Sequence, residues 1–251
     1  MTLIGKEGSN LMFPTQSEKS AVRIAGRRLG YAMASILIAL PAWTADKAKD
    51  EETMRNAATV LQAMVDSKTV PADVLSRADC VIVLPSVKKG GFIVGGSGGR
   101  GPMSCRQGPN FAGAWSTPAM FTIGGASVGL QVGGSSTDFV LLIMSQKGAD
   151  AIMNGKTELG HDATVAAGPA GATAAGTTGS DVLTYGRAKG LFAGASLGGA
   201  SLEPDNDANK RLYGRPINAR EILMMNTVQP TPGGRDFVNR LNSNIGTHAT
   251  N

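Results

Sequence analysis

Hydrophobic residues recur at helical spacing in three parts of the chain. Between residues 46 and 66, charged positions occupy most of the helical wheel and apolar positions three or four residues apart occupy the rest, namely Met54, Ala57, Leu61, Met64 and Val65. Pro71 opens a short second helix that places Val74 and Leu75 on one side. The stretch "NAREILMM" predicts a third helix, with Asn218 as its N-terminal cap.

From residue 80 the pattern changes to that of strands. "CVIVLP" is a continuous apolar run, and "AMFTIGGASV", "TDFVLLIMSQ" and "DVLTYGRA" follow it, with "TDFVLLIMSQ" dense enough in apolar residues to be a central strand. The glycine-rich "GSGGRG" at residues 96–101 predicts a turn after a strand. The chain has 34 glycines but only 7 Phe, 3 Tyr and 2 Trp, which favours tightly turned β structure with close backbone approaches.

Together these elements predict an α+β fold. N-terminal helices would pack on an antiparallel, glycine-rich β core in the form of a sheet, a sandwich or a partly closed barrel. No linker composition interrupts residues 46–225, so we expect one domain there. The polar composition of residues 226–251 predicts a C-terminal tail.

The first 45 residues have the pattern of a secretory leader. Arg23, Arg27 and Arg28 precede "LGYAMASILIALPAW", an apolar run shorter than the roughly 20 residues that a membrane span needs. We therefore expect an exported protein, in the periplasm or associated with the cell envelope. A retained N-terminal anchor is the alternative.

The charge of the chain lies largely in that leader. The formal net charge is +5, but residues 46–251 carry 19 Lys and Arg against 17 Asp and Glu. A nearly neutral domain lacks the basic footprint of a nucleic-acid-binding protein, so no nucleic-acid partner is expected. Cys80 and Cys105 are the only cysteines. In an exported protein they would form a disulfide, and two buried thiols are the alternative.

Catalytic and metal-binding patterns are weak throughout the sequence. "GSGGRG" matches a dinucleotide-binding string by letters, but no helical pattern follows it. The histidines, His161 and His248, form no HExxH motif, and Asp205 with Asp207 is only a fragment of a calcium loop. Ser127 in "GASVG" matches the hydrolase nucleophile string, again without a following helix. We therefore predict no catalytic residues, no bound metal and no cofactor.

Several blocks in order resemble one known family. They are "ADCVIVLPSVKKGGFIVGGSGGRGPMSC", then "WSTPAMFTIGGASVGLQVGGSSTDFVLLIM", "VAAGPAG" and "YGRAKGLFAGASLGGA". The combination of W-S-x-P, Q-x-G-x-x-x-x-D and K-G-L-F-A-G-x-S-L resembles the SYLF domain family, over residues 50 to 214. The resemblance implies a lipid-binding domain in its exported bacterial form, without the accessory modules of eukaryotic members.

The resemblance also implies a function. It implies non-enzymatic binding of anionic phospholipid headgroups, and actin binding in some eukaryotic members, which we do not expect here. A protein that binds anionic phospholipid headgroups needs positively charged side chains beside an apolar surface. We expect cations in a turn or in loops at one end of the β core to form a basic rim, namely Lys88, Lys89, Arg100, Arg187, Lys189, Lys210 and Arg211. Two alternatives are a structural or protein-interaction role in the cell envelope, and scattered charges that only keep the surface soluble.

Overall fold

An eight-stranded sheet forms the centre of the described chain. A computed structural model describes residues 42–91, 94–128, 133–167, 179–188, 197 and 199–244. Across the sheet the strands follow the order β5-β8-β3-β2-β1-β4-β7-β6, and every neighbouring pair is antiparallel except β6 and β7. The strands are β1 (Cys80–Gly91), β2 (Val94–Cys105), β3 (Ala119–Val128), β4 (Gly133–Ile143), β5 (Thr157–Glu158), β6 (Val165–Ala167), β7 (Val182–Ala188) and β8 (Ser201–Pro204).

Helices cover both faces of this sheet. They are α1 (Ala42–Asp66), α2 (Ala72–Ser76), α3 (Gln146–Asn154), α4 (Asn206–Tyr213), α5 (Ala219–Met224) and α6 (Pro232–Asn244). Residues of α1, α2 and α6 pack on one face, which we call the α1 face, and residues of α3 and α5 pack on the other, the α3 face. The predicted α+β fold, with helices on an antiparallel, glycine-rich core, is confirmed.

The helix α1 forms where the apolar spacing predicts it. Met54, Ala57, Leu61 and Met64 have no exposed surface, because they lie on the stripe that meets the sheet and its neighbouring helices. The helix begins at Ala42, so the last four residues of the predicted leader form its first turn. The rest of the leader lies outside the described residues.

The central strands bury side chains on both faces. In β1, Ile82 and Leu84 belong to the core of the α3 face, while Val81 and Val83 belong to that of the α1 face. The strand β4 lies between β1 and β7, as its apolar density predicts. Continuous apolar sequence therefore marks the strands that helices cover on two sides.

A break in β1 reverses this alternation. The pairing of β1 with both neighbours shifts near Ser86, whose φ of 53° lies in the left-handed region. Val87 consequently joins the core of the α3 face, where regular alternation from Leu84 would have placed Lys88. Lys88 instead points to the α1 face.

The glycine run of residues 96–101 lies inside β2, and the predicted turn there is wrong. Gly98 pairs with Lys88 on one side and with Gly124 on the other. Close approach explains the composition, since a Cβ at Gly99 would lie 2.7 Å from the Cγ2 of Val87, and a Cβ at Gly101 would collide with a carbonyl of β1. Glycine here lets two strands meet at the break.

The predicted polar tail is also wrong over most of its length. Phe237 and Leu241 of α6 have no exposed surface and pack on the α1 face. The backbone N–H of Gly233, in the first turn of α6, donates to the buried carboxylate of Glu51 at 2.6 Å, where a negative charge favours a helix start. With only a few apolar residues among polar ones, this helix resembles a tail in composition. Residues 245–251 lie outside the described residues.

Covalent and polar links join the strands at the end of β1 that begins at Cys80. Cys80 and Cys105 lie directly opposite each other on β1 and β2 and form a buried disulfide with an S–S distance of 2.09 Å. Beside β4, the carboxylate of Asp181 accepts hydrogen bonds from the Ser145 hydroxyl at 2.5 Å and from the Thr164 hydroxyl at 2.8 Å. These hydrogen bonds, that of Ser145 foremost, hold the pKa of Asp181 below its ordinary 3.8.

The lowered pKa of Asp181 predicts a pH-dependent stability. A carboxyl whose pKa folding lowers stabilises the protein above its ordinary pKa, and this stabilisation is lost as the pH falls through the folded-state pKa. We expect Asp181→Asn to lower the free energy of unfolding by about 1–3 kcal/mol at pH 7, and by progressively less below pH 3.8. Urea unfolding at pH 7 and pH 3 measures this. The control Asp73→Asn, at an exposed position, should change the free energy of unfolding at pH 7 by about 0.5 kcal/mol or less.

The packing of α6 predicts that it contributes to global stability. Phe237→Ala should lower the free energy of unfolding by about 3–5 kcal/mol, because it leaves a cavity in the α1 face. Asn239→Ala, at an exposed position of the same helix, should change it by less than about 0.5 kcal/mol. Equal unfolding midpoints in urea for the two variants would contradict the packed helix.

Candidate functional site

Three of the predicted binding cations lie on the α1 face, in nearby strands. Arg100 is on β2, Lys88 on β1 and Arg187 on β7. Because β2, β1, β4 and β7 are consecutive in the sheet, these side chains span four adjacent strands. Lys88 is exposed, and the side chains of Arg100 and Arg187 are 35% and 37% exposed. We call Arg100, Lys88 and Arg187 the three-cation surface.

A buried aspartate of α1 holds one of these cations. Asp50 has no exposed surface, and its carboxylate forms ion pairs with Arg100 and with Arg211 of α4. The Nε of Arg211 donates to it at 2.9 Å. Two guanidinium groups around one carboxylate compensate its buried charge and leave the cluster positive, so Asp50 orients Arg100 without cancelling the positive charge of the cluster.

A second buried aspartate, Asp138 of β4, organises the rest of the surface. It is 1% exposed; its Oδ1 accepts the backbone N–H of Ser86 at 2.9 Å, and its Oδ2 accepts from Nη2 of Arg187 at 3.1 Å. The first contact fixes the break in β1, and with it the face on which Lys88 lies. One carboxylate therefore positions two of the three cations.

Sheet backbone with little side-chain cover lies beside the three-cation surface. Lys88 pairs with Gly98 and Ser136, and two residues further along β1 Gly90 pairs with Gly96. Paired residues share a face, so small residues surround Lys88 on the α1 face. A Cβ at Gly90 or Gly98 would meet no described atom within 4 Å. A ligand group could therefore approach the sheet itself here.

The other predicted binding cations do not belong to the three-cation surface, although Arg211 shares Asp50 with Arg100. Lys88 and Lys89 lie within β1, so the predicted turn is wrong, and Lys89 points to the α3 face because side chains alternate. Lys210 and Arg211 belong to α4 and Arg100 to β2, so the prediction that they lie in loops is also wrong. Lys189 lies outside the described residues. The structure thus brings together four of the seven candidates, the three-cation surface and Arg211, which shares Asp50 with Arg100.

Sequence reasoning missed Asp50 and Asp138, the two aspartates that hold the arginines. A signal for Asp138 is present, since "TDFVLLIM" places one acidic residue next to an otherwise apolar strand, where an unpaired charge would be costly. Asp50 gives no such signal, because it lies among charged residues in "DKAKDEE". Only the packing of α1 distinguishes it from its exposed neighbours.

A nearby phenol adds no charge to this face. Tyr185 precedes Arg187 by two residues on β7 and is 4% exposed. The pKa of Tyr185 is raised to about 12, mainly by burial. The negative charge of Asp73 adds to this increase, and the positive charge of Arg77 offsets part of it. The phenol is therefore neutral at physiological pH and does not offset the positive charge of the three-cation surface.

The W-S-x-P block has a structural role. The guanidinium of Arg106 lies over the Trp115 ring, 4.6 Å from its centre, as a cation–π contact. The Ser116 hydroxyl accepts the backbone N–H of Cys105 at 3.1 Å, and the Pro118 carbonyl accepts the hydroxyl of Tyr213. The block therefore joins the end of β2 to α4, and its residues carry no candidate chemistry.

The weak catalytic patterns take structural positions. Asp205 caps α4, its carboxylate accepting the backbone N–H of Ala208 at 2.9 Å. Ser127 lies inside β3 opposite Gly95, whereas the hydrolase string requires a turn from strand to helix. Among the described residues, no three His, Cys, Asp or Glu side chains are grouped to hold a metal ion. None of the described helices is both long and apolar enough to cross a membrane.

With this geometry established, comparison with known proteins identifies the family. Residues 124–244 match the Ysc84 family model, described as "Las17-binding protein actin regulator". The chain belongs to the Ysc84 family. This is the SYLF family that its motifs resemble. The Ysc84 match ends at Asn244, the last residue of α6, so the family region includes the helix that composition alone predicted as tail.

Relatives in animals and fungi extend the match toward the N-terminus. The chain is 35% identical over 181 residues to the SH3 domain-containing YSC84-like protein 1 of Rattus norvegicus, covering 70% of this chain and 52% of the relative. It is 32% identical over 172 residues to LAS seventeen-binding protein 3 of Saccharomyces cerevisiae, covering 66% and 36%. The chain thus spans about half or less of the curated relatives it matches. No solved structure gives a significant match.

The buried position of Asp138 predicts a large stability cost for its removal. Asp138→Ala leaves the Ser86 N–H and Arg187 without their shared acceptor, and should lower the free energy of unfolding by about 2–4 kcal/mol. Asp150→Ala removes the half-exposed partner of Arg220, an arginine about as exposed as Arg187, and should cost about 1 kcal/mol or less. Chemical denaturation compares them, and similar costs would contradict the organising role of Asp138.

Proposed function

We propose that this Ysc84-family protein binds anionic phospholipid headgroups at a membrane surface and catalyses no reaction. The observation that carries the proposal is the three-cation surface beside sheet backbone that few described side chains cover. The family match and the names of the relatives describe binding and regulatory proteins, which supports a binding role in general. Lipid as the ligand is what the resemblance to the SYLF family implies, and the charge of the three-cation surface suits it.

Phosphate recognition suits guanidinium and ammonium groups held at a surface. Each Lys or Arg close to an anionic membrane contributes about 1 kcal/mol to binding. Arg187 donates one N–H group to Asp138 and has others left to donate to a phosphate. Lys88 forms no ion pair with a described residue and is exposed, so it is the cation with least to lose on binding.

The location of the protein is part of this proposal. The arginines and apolar run of the first 45 residues support export to the periplasm or the cell envelope. A buried disulfide between Cys80 and Cys105 accords with an oxidising compartment. Anionic phospholipids are present on membranes that face that compartment, so ligand and protein would meet.

A second candidate function is protein binding, and the names of the relatives favour it. The matched family is described through Las17 binding and actin regulation, and one relative is named for binding LAS seventeen. An exported homologue would not meet cytoskeletal partners, so the corresponding role here would be a structural or protein-interaction one in the cell envelope. Oligomers or captured envelope proteins, together with no vesicle binding, would favour this candidate.

Vesicle co-flotation of the full chain tests the lipid proposal. We expect binding to phosphatidylglycerol vesicles but not to phosphatidylcholine vesicles, weakened by physiological salt because exposed charges are screened. Lys88→Gln should weaken binding about fivefold, the equivalent of the roughly 1 kcal/mol that one surface cation contributes.

The matched control for this variant is Lys156→Gln. Lys156 is exposed and lies between α3 and β5, away from the three-cation surface, and its replacement changes the net charge equally. Equal losses in the two variants would indicate attraction by net charge alone. Absence of binding to both phosphatidylglycerol and diphosphatidylglycerol vesicles at low salt would exclude the lipid function.

A further inference from the structure

We propose that the three-cation surface is built for a lipid with two phosphate groups, diphosphatidylglycerol, in preference to lipids with one. This rests on the proposed function and names its ligand class. The argument comes from the separation of Arg100 and Arg187 and from the directions in which their aspartates hold them. A single phosphate cannot contact both guanidinium groups, whereas two phosphates joined by glycerol can occupy the two ends.

The strand order sets the separation of the two arginines. Asp138 pairs with Arg187 across β4 and β7, and the break of β1 at Ser86 lies between Asp138 and Arg100. The two arginines therefore lie in one row across the sheet. Three strand spacings of about 4.8 Å place their Cα atoms roughly 14 Å apart.

The buried aspartates prevent the guanidinium groups from converging. Asp138 lies on β4, one strand closer to Arg100 than β7 is. It therefore holds the Arg187 guanidinium only about one strand spacing toward Arg100. Asp50 is shared with Arg211 of α4, and α4 is tied to β3 by hydrogen bonds between Asn209 and the backbone of Met120.

Since β3 lies on the side of β2 away from β7, Asp50 draws Arg100 outward. The inward shift of Arg187 shortens the roughly 14 Å separation by one strand spacing of about 4.8 Å, so about 10 Å remains between the two guanidinium groups. Two guanidinium groups that contact one phosphate lie within roughly 8 Å, because each N–H···O contact is about 3 Å long.

Lys88 and the glycines complete the surface between these ends. Lys88 lies on β1, in the interval between Arg100 and Arg187 and one residue pair further along the strands. Gly90 and Gly98 leave the sheet uncovered by described atoms there, which gives room for the glycerol that joins two phosphates. An exposed ammonium can contact either phosphate.

Covalent linkage gives a two-phosphate lipid an advantage that needs no new contact. Once one phosphate binds, the second is held at high effective concentration near the other arginine. Two separate monophosphate lipids must each be recruited. At equal total phosphate, we therefore expect the full-length protein to bind diphosphatidylglycerol vesicles at least about fivefold more tightly than phosphatidylglycerol vesicles.

The test uses a variant that removes one end of the surface without leaving a buried charge. Asp138→Asn with Arg187→Gln replaces both partners, and the amide oxygen of the new asparagine can still accept the Ser86 N–H. The lipid preference should fall to about onefold. Asp150→Asn with Arg220→Gln removes a half-exposed pair on α3 and α5 and should leave the preference intact. Circular dichroism and thermal unfolding verify the fold of each variant.

Each outcome decides between the two levels of proposal. No binding of the unchanged protein to either anionic vesicle overturns the headgroup function and this inference with it. Equal binding to both vesicles overturns only the two-phosphate inference. A preference that survives in the Asp138/Arg187 variant overturns the assignment to these residues. If that variant does not fold, Arg100→Gln removes the other end of the surface while Arg211 still pairs with the buried Asp50, and an unchanged preference then overturns the assignment.

Discussion

The contact between Asp138 and the backbone of Ser86 is the interaction on which the candidate surface depends. A strand that alternates regularly would carry Lys88 into the core of the α3 face, where its charge would have no compensation. The left-handed conformation of Ser86 shifts the alternation by one residue, and the buried carboxylate accepts the N–H group that this shift leaves without a ladder partner. The contact between Asp138 and Ser86 therefore determines both the path of β1 and the face on which Lys88 lies.

Glycine in the neighbouring strand makes that path of β1 possible. Val87 turns toward β2 after the break, and only a residue without a Cβ fits opposite it at Gly99. Gly101 similarly admits a close carbonyl of β1, that of Val83. The glycine-rich sequence, which at first suggests turns, is here a requirement of close strand approach. Further along, no described atom lies within 4 Å of a Cβ built at Gly90 or Gly98, so the same residue type leaves backbone there uncovered by the described residues.

The arginines of the buried ion pairs have two roles. Each compensates a buried carboxylate, and each can also contact an anion outside the protein. Asp50 and Asp138 are fully or nearly fully buried, so each requires its cation for folding. Arg100 and Arg187 nevertheless keep about a third of their side-chain surface exposed. A guanidinium group has five N–H donors in a plane, so it can serve a buried carboxylate and an outside anion together. A lysine ammonium would be less suited to binding a buried carboxylate and an outside anion at the same time.

Periodicity by itself determined α1, the central strands and the α+β class, because amphipathic spacing and apolar runs are local properties of the chain. It also predicted the Asn218 cap, which accepts the N–H of Glu221. Periodicity did not predict α6, because Phe237 and Leu241 are the two large apolar side chains that anchor its thirteen residues in the core. Tertiary structure alone decided which cations share a face. That depends on strand order, on the break at Ser86 and on aspartates from other elements, and none of these is written in local spacing.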